Sequence, residues 1–160
     1  LAGHGPKLMQ VAADHADGLF VYLQPVEQIA RARQILGPDK EIHAVVRTVR
    51  ATNGVTARRI ARAALGFYLE LPAYHQAWQS LGFSAQECAN GGSDRLIDAI
   101  APWGDEAQLR AAIQTYYAAG ASHVSLYPIH PDDNYAPGQA GTSGLLWDWP
   151  TLEMMAPGRT

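Results

Sequence analysis

The residues that could do chemistry first appear at Gly3-His4-Gly5-Pro6-Lys7, where a glycine-flanked histidine leads into a proline and then an apolar periodicity. Proline suits the first helical turn, where its missing N–H costs nothing. Free N–H groups at a helix start attract anions, and glycine lets a phosphate approach the main chain. The same residues also read as an ordinary strand-to-helix turn, and a glycine motif this short, taken alone, favours the turn. Six histidines, His4, His15, His43, His75, His123 and His130, show no metal-ligand spacing. His15 shares a helical stripe with Leu8, Val11 and Ala12, so it is expected as a packed core residue. His43 and His123 lie in strand-like segments, where a one-residue shift decides which face they occupy. Facing a bound cofactor or substrate, either could move a proton.

Ser93-Asp94-Arg95 follows the turn Asn90-Gly91-Gly92. Arg95 is a candidate for holding a phosphate or an acidic substrate. The stronger reading makes Ser93 an N-cap, Asp94 a first-turn acid and Arg95 half of a surface ion pair. No G-x-S-x-G, Walker loop or Cys–His pairing is present, and no catalytic residue is assigned. The single cysteine, Cys88, sits beside the capping-box pattern Ser84 to Glu87 and reads as a small buried residue. It allows no internal disulfide, so a reducing, cytoplasmic setting is expected. Tyr68, Tyr74, Trp78, Phe83 and Trp103 crowd one region and are expected to pack it. Arg31/Arg33 and Arg58/Arg59/Arg62 are expected on solvated helix faces.

These residues need elements to hold them. A helix is expected from Lys7, a strand at 19–23, a helix at 25–37 and a strand at 41–49. A third helix is expected from Thr56 to Leu71, a shorter one after Pro72, and two more over 84–100. Asp105 caps the clearest helix, Gly120 ends it, and a third strand follows at 122–127. From Pro128 onward Pro, Gly and Asp dominate, so 128–160 reads as a loop-rich tail with one turn near Leu152–Met155. Strands separated by helices require crossovers and a parallel sheet, hence an α/β fold. The continuous apolar run LFVYL suggests a sheet covered on both faces. At 160 residues, 48% apolar and net charge −3, the chain suits one domain and gives no reason to expect nucleic acid or an anionic membrane. No apolar run reaches the roughly 18 residues of a spanning helix.

The ordered set LAGHGPKLMQVAADHADGLF, QILGPDK, LELPAYHQAWQSLGF, NGGSDRLIDAIAPWGD and AAGASHVSLYP resembles the C-terminal half of the luciferase-like monooxygenase superfamily. Within it, the resemblance is to oxidoreductases that use the deazaflavin coenzyme F420, and it spans roughly residues 1–130. It implies the C-terminal portion of a (β/α)8 barrel over 1–127. Leu1–Gly3 would be the tail of strand five, and the three predicted strands would be six, seven and eight, with a helical insertion before the last. It also implies that Gly3, His4 and Gly5 lie against a cofactor phosphate, with Lys7 as charge partner and Arg95 as a further candidate. The parent enzyme would move a hydride between F420, or alternatively FMN, and a small organic substrate. The alternative is an inactive half-barrel that at most binds a ligand or itself. Open edges and an inner face expected to be rich in Val, Leu and Phe point to a homo-oligomer.

Overall fold

A computed structural model describes residues 1–133 and 146–156. Helix α1 (Pro6–His15) leads to strand β1 (Gly18–Tyr22), α2 (Val26–Leu36) to β2 (Glu41–Arg50), and α7 (Glu106–Ala118) to β4 (His123–Pro128). β2 pairs in parallel with β1, Gly18 opposite Glu41, and with β4, His43 opposite His123. Leu1–Gly3 adds a stub on the other side of β1: Phe20 N–H donates to the Leu1 carbonyl at 2.7 Å, and Gly3 N–H to that of Phe20 at 3.4 Å. Four parallel segments therefore lie side by side in chain order, as the strand-helix alternation predicts.

Alternation along the strands separates two faces. Leu19, Val21, Ile42, Ala44 and Val46 are buried against Met9 and Ala12 of α1, Ile29, Ala32 and Leu36 of α2, and Tyr116 of α7. The opposite face carries Phe20, Tyr22, His43, Val45, Arg47, Ser125 and Tyr127. It is thus aromatic and polar rather than rich in Val, Leu and Phe; the helices lie on one face, as a half-barrel requires, and not on both as the apolar run LFVYL alone suggests. α1 is also rotated from its expected stripe. Met9 and Ala12 face the core, while Leu8 (47% exposed), Val11 (44%) and His15 point outward. His15 is therefore not a core residue.

Between β2 and β4 the chain builds a second core. α3 (Gly54–Leu69) starts two residues before Thr56 because the Asn53 side chain accepts from Thr56 N–H at 2.9 Å. It stops short of Pro72, which disfavours helix in the residue before it. α4 (Pro72–Gln79), α5 (Ala85–Cys88) and α6 (Asp94–Ile100) complete the insertion. Ser84 and Glu87 form the capping box, and Ser93 caps α6. A two-residue strand, β3 (Trp103–Gly104), was not foreseen; it pairs with Val49 and Arg50 at the end of β2. The expected turn at Leu152–Met155 is a longer helix, α8 (Trp149–Met155), capped by Asp148. Among the described residues no helix is long and apolar enough to cross a membrane.

Trp78 is fully buried at the centre of this second core. Its indole N–H donates to the Leu23 carbonyl at 3.3 Å. Leu23 has φ +53°, the left-handed region a leucine enters at a cost of roughly 1–2 kcal/mol. The Tyr116 hydroxyl holds the next carbonyl, of Gln24, at 3.3 Å. Two aromatic donors thus fix the turn that leaves β1. Trp78→Phe keeps most of the packing and leaves the Leu23 carbonyl unpaired, so a loss of about 1–3 kcal/mol is expected. Trp78→Ala should cost about 3–5 kcal/mol. Urea denaturation measures both, and a Phe variant as stable as the parent would refute the role of the bond.

Candidate functional site at the carboxyl rim

Because the Leu1–Gly3 stub runs parallel to β1, its end opens on the carboxyl edge of the sheet, and α1 starts there. Gly5 is the N-cap with φ −89° and ψ 152°. No side chain caps the helix, and its first turn holds no acid. A Cβ placed on Gly5 would meet nothing within 4 Å, so the space before the helix is open. Gly3 differs. It is buried, and its Cβ would sit 2.8 Å from that of Leu8, so this glycine serves close packing. The His4 carbonyl accepts from the Gln28 side-chain amide, and its ring lies 4.9 Å from that of Tyr74. His4 Nδ1 is buried without a hydrogen-bond partner, and burial lowers the ring's pKa, which keeps it neutral. Lys7 is exposed. A cavity of about 300 Å³ lies between His4, Gly5 and Leu8 on one side and Gln76, Ala77 and Ser80 on the other.

Arg95 is not among the residues around that cavity. It donates to Glu87 at 2.9 Å and lies over the Phe83 ring at 4.2 Å. Glu87 is held near pKa 2, first by the Ser84 backbone N–H and then by Arg95. Two other arginines expected on solvated faces are tied down. Arg58 grips Asp98 with two bonds of 2.8 and 2.6 Å. Arg33 donates to the carbonyls of Gly37, Lys40 and Gly120.

The helix-free face of the sheet holds a cavity of about 430 Å³. His43 and His123 both point into this face, their rings 4.7 Å apart, and His43 Nε2 is 2.7 Å from Ser125 Oγ. They stand near the starts of β2 and β4, the amino end, where barrel folds place packing rather than chemistry. The carboxyl end holds Tyr22, Arg47 and Tyr127. Arg47 is 3% exposed, its guanidinium 4.5 Å above the Tyr127 ring, 3.5 Å from the Tyr22 hydroxyl and 3.6 Å from the Asp133 carboxylate. Among the described residues its Nε and Nη2 have no hydrogen-bond partner, nor has either amide atom of Gln24 or the Thr48 hydroxyl. Buried polar atoms left this way cost about 1–3 kcal/mol each, so these three residues are not placed there by stability alone.

Aromatic rings connect the two cavities. His4 meets Tyr74, Tyr74 meets Tyr68 at 5.6 Å, and Tyr68 meets Tyr22 at 5.2 Å. Burial pushes the Tyr74 hydroxyl up to about 12 and raises that of Tyr22 as well. Both phenols therefore stay protonated and can donate hydrogen bonds. Sequence reasoning assigned Tyr68 and Tyr74 to packing and passed over Tyr22, Arg47 and Tyr127. The available signal was the period-two run His43, Val45, Arg47 inside an otherwise apolar strand. Cys88 is fully buried, and burial raises its thiol pKa, so it is inert. Among the described residues no three His, Cys, Asp or Glu side chains are grouped to hold a metal ion.

No family model and no curated protein sequence matches the chain. Solved structures do share its fold. The coenzyme F420-dependent tetrahydromethanopterin reductase of Methanopyrus kandleri superimposes with a TM-score of 0.60 at 13% identity, over 79% of this chain and 43% of that one. An F420-dependent secondary alcohol dehydrogenase, in complex with an F420–acetone adduct, gives 0.53 at 13% identity, over 79% and 42%. The chain thus shares an α/β fold with parallel strands with part of each of these structures, and it spans less than half the length of either.

His43 should make stability depend on pH. The His43 pKa is lowered, first by burial and then by the neighbouring His123. Below the ordinary value of about 6.5 the unfolded chain takes up a proton that folded His43 resists. Stability should therefore fall as pH drops below about 6.5, and His43→Gln should flatten that slope. Urea midpoints between about pH 5 and 7.5 measure it; parallel profiles for parent and variant would remove His43 as the cause.

Proposed function

We propose that the chain forms the phosphate-holding part of an oxidoreductase barrel that uses the deazaflavin coenzyme F420, with FMN as the alternative, on a small organic substrate. One observation carries the reading: α1 begins at the carboxyl edge with an uncapped N-terminus and open space at Gly5. That cradle fits a phosphate. The fold likeness to two F420-dependent enzymes supports the choice of coenzyme.

In this reading the free main-chain N–H groups at the start of α1 hold the phosphate, and Lys7 adds positive charge beside them. Gly3 contributes by letting Leu8 pack closely beneath the loop. Arg95 is left out, because Glu87 and Phe83 already hold it. The bound coenzyme supplies hydride chemistry. The protonated phenols of Tyr22 and Tyr74 donate hydrogen bonds along the rim, and the aromatic row offers faces for stacking. Arg47, paired with Asp133, sets a charge-balanced guanidinium at the end of β2 that can donate hydrogen bonds. A second reading, a half-barrel without activity, is favoured by the exposed Leu8 and Val11 on α1.

Gly5→Val tests the cradle. Valine accepts φ −89° and ψ 152°, so the fold should persist. Its side chain would fill the space in front of the helix, and F420 affinity should fall by roughly 1–3 kcal/mol. His4→Ala should matter less, since the donors are main-chain groups. Fluorescence titration with F420 measures both, alongside circular dichroism. Unchanged affinity in a folded Gly5→Val protein would reduce the loop to a turn.

A further inference from the structure

We propose that the guanidinium of Arg47 is a carboxylate-binding fork, approached in this structure by the protein's own Asp133 and taken over by the carboxylate of a small aromatic or apolar acid. The binding site stands on its geometry. Only the statement that this acid is the substrate of the oxidoreductase rests on the coenzyme reading.

Arginine has five N–H donors, and Nε and Nη2 lie along one edge, spaced to meet both oxygens of a carboxylate. In Arg47 that edge is the unused one. Among the described residues neither Nε nor Nη2 has a hydrogen-bond partner, although the side chain is only 4% exposed. Nη1 reaches the Tyr22 hydroxyl at 3.5 Å, the outer limit of such a bond. Two charged donors unsatisfied in the interior are unfavourable until a ligand completes them. Asp133 lies beside them, its carboxylate 3.6 Å from Nη2. That distance balances the charge and falls short of a hydrogen bond. A ligand carboxylate would exchange one anion for another, adding no charge to the interior, and would make the two bonds that Asp133 does not.

Sheet register sets the surroundings. β2 places Arg47 opposite Tyr127 of β4, and the Tyr127 ring, 4.5 Å from the guanidinium carbon, fixes the plane of the fork. The cavity of about 430 Å³ on this face reaches Arg47 and is walled by Phe20, Tyr22, Tyr68 and Tyr127. Those rings suit a flat, apolar body, with the charged end at the fork. Among the described lining residues Arg47 is the one Lys or Arg, which favours a monoanionic carboxylate over a phosphate dianion.

Benzoate is the probe and neutral benzamide its isostere, both added to the full chain without coenzyme, so that a failed F420 titration leaves this result standing. Asp133→Asn removes the anion and keeps the shape, and should lower the thermal midpoint read by circular dichroism. Benzoate at about ten times its Kd should raise that midpoint by roughly 4 °C, and the parent's by less because Asp133 competes there. Benzamide should do neither. In calorimetric titration benzoate should bind Asp133→Asn roughly tenfold more tightly than the parent. Arg47→Lys keeps the charge, loses the fork and should lose benzoate binding. No benzoate effect on a folded Asp133→Asn protein overturns the proposal, as does an equal response to benzamide. Should Asp133→Asn fail to fold, benzoate that binds parent and Arg47→Lys alike, or neither, overturns it. A larger rescue by inorganic phosphate overturns the assignment to a carboxylic acid.

Discussion

Every strand pairing of the sheet except the stub's runs through β2. Residues of odd number on β2 turn their main-chain groups toward β1 and, farther along, β3; residues of even number turn toward β4. The hydrogen bonds make this visible: Val49 N–H reaches Pro102, whereas the carbonyls of Ile42 and Thr48 receive Ser122 and Ile129. One ten-residue strand thereby fixes both faces at once. His43, Val45 and Arg47 must share the inner face, and Ile42, Ala44 and Val46 the helix-covered one. The start of the register is pinned by sterics. At Gly18 any Cβ would lie 2.3 Å from the Glu41 carbonyl oxygen, so the two strands approach as only glycine allows.

Beyond β2 the fold divides its work. Three helices and the sheet bury one aliphatic core, while the insertion buries a second, largely aliphatic core with Trp78 and Phe83 in it. The two meet where β1 ends, at the left-handed Leu23 and at Gln24. There the chain holds Leu23 at positive φ and, among the described residues, leaves both amide atoms of Gln24 without a hydrogen-bond partner. A region optimised for stability alone would have been filled with apolar side chains. The rim is instead polar, with the insertion core packed behind it.

Much of this was legible in the sequence because it depends on local rules. Strand-helix alternation gave the parallel order, and Ser84, Ser93 and Asp105 announced their caps through short-range hydrogen bonds. What escaped depended on tertiary contact. The outward turn of Leu8, Val11 and His15 follows from which face of α1 meets α2, and a stripe of mixed Ala and Leu does not settle that. β3 has two residues and no periodicity to read. The rim residues Tyr22, Arg47 and Tyr127 come from three strands, and only pairing register brings them together. Arg95 sits beside glycines in sequence, yet its partners, Glu87 and Phe83, lie within its own helical cluster.

The β2–β4 ladder joins residues 80 positions apart, with the whole insertion between them. Closing a loop of that length costs about 4 kcal/mol of chain entropy, before any strand contact is made to offset it. The stub, β1 and β2 face only short connections, so they can assemble early. β4 reaches its place once the insertion has folded and shortened the effective loop. The Trp78 core in that sense brings the two strands within reach, and the long separation is expected to make docking of the last strand the slow event in folding.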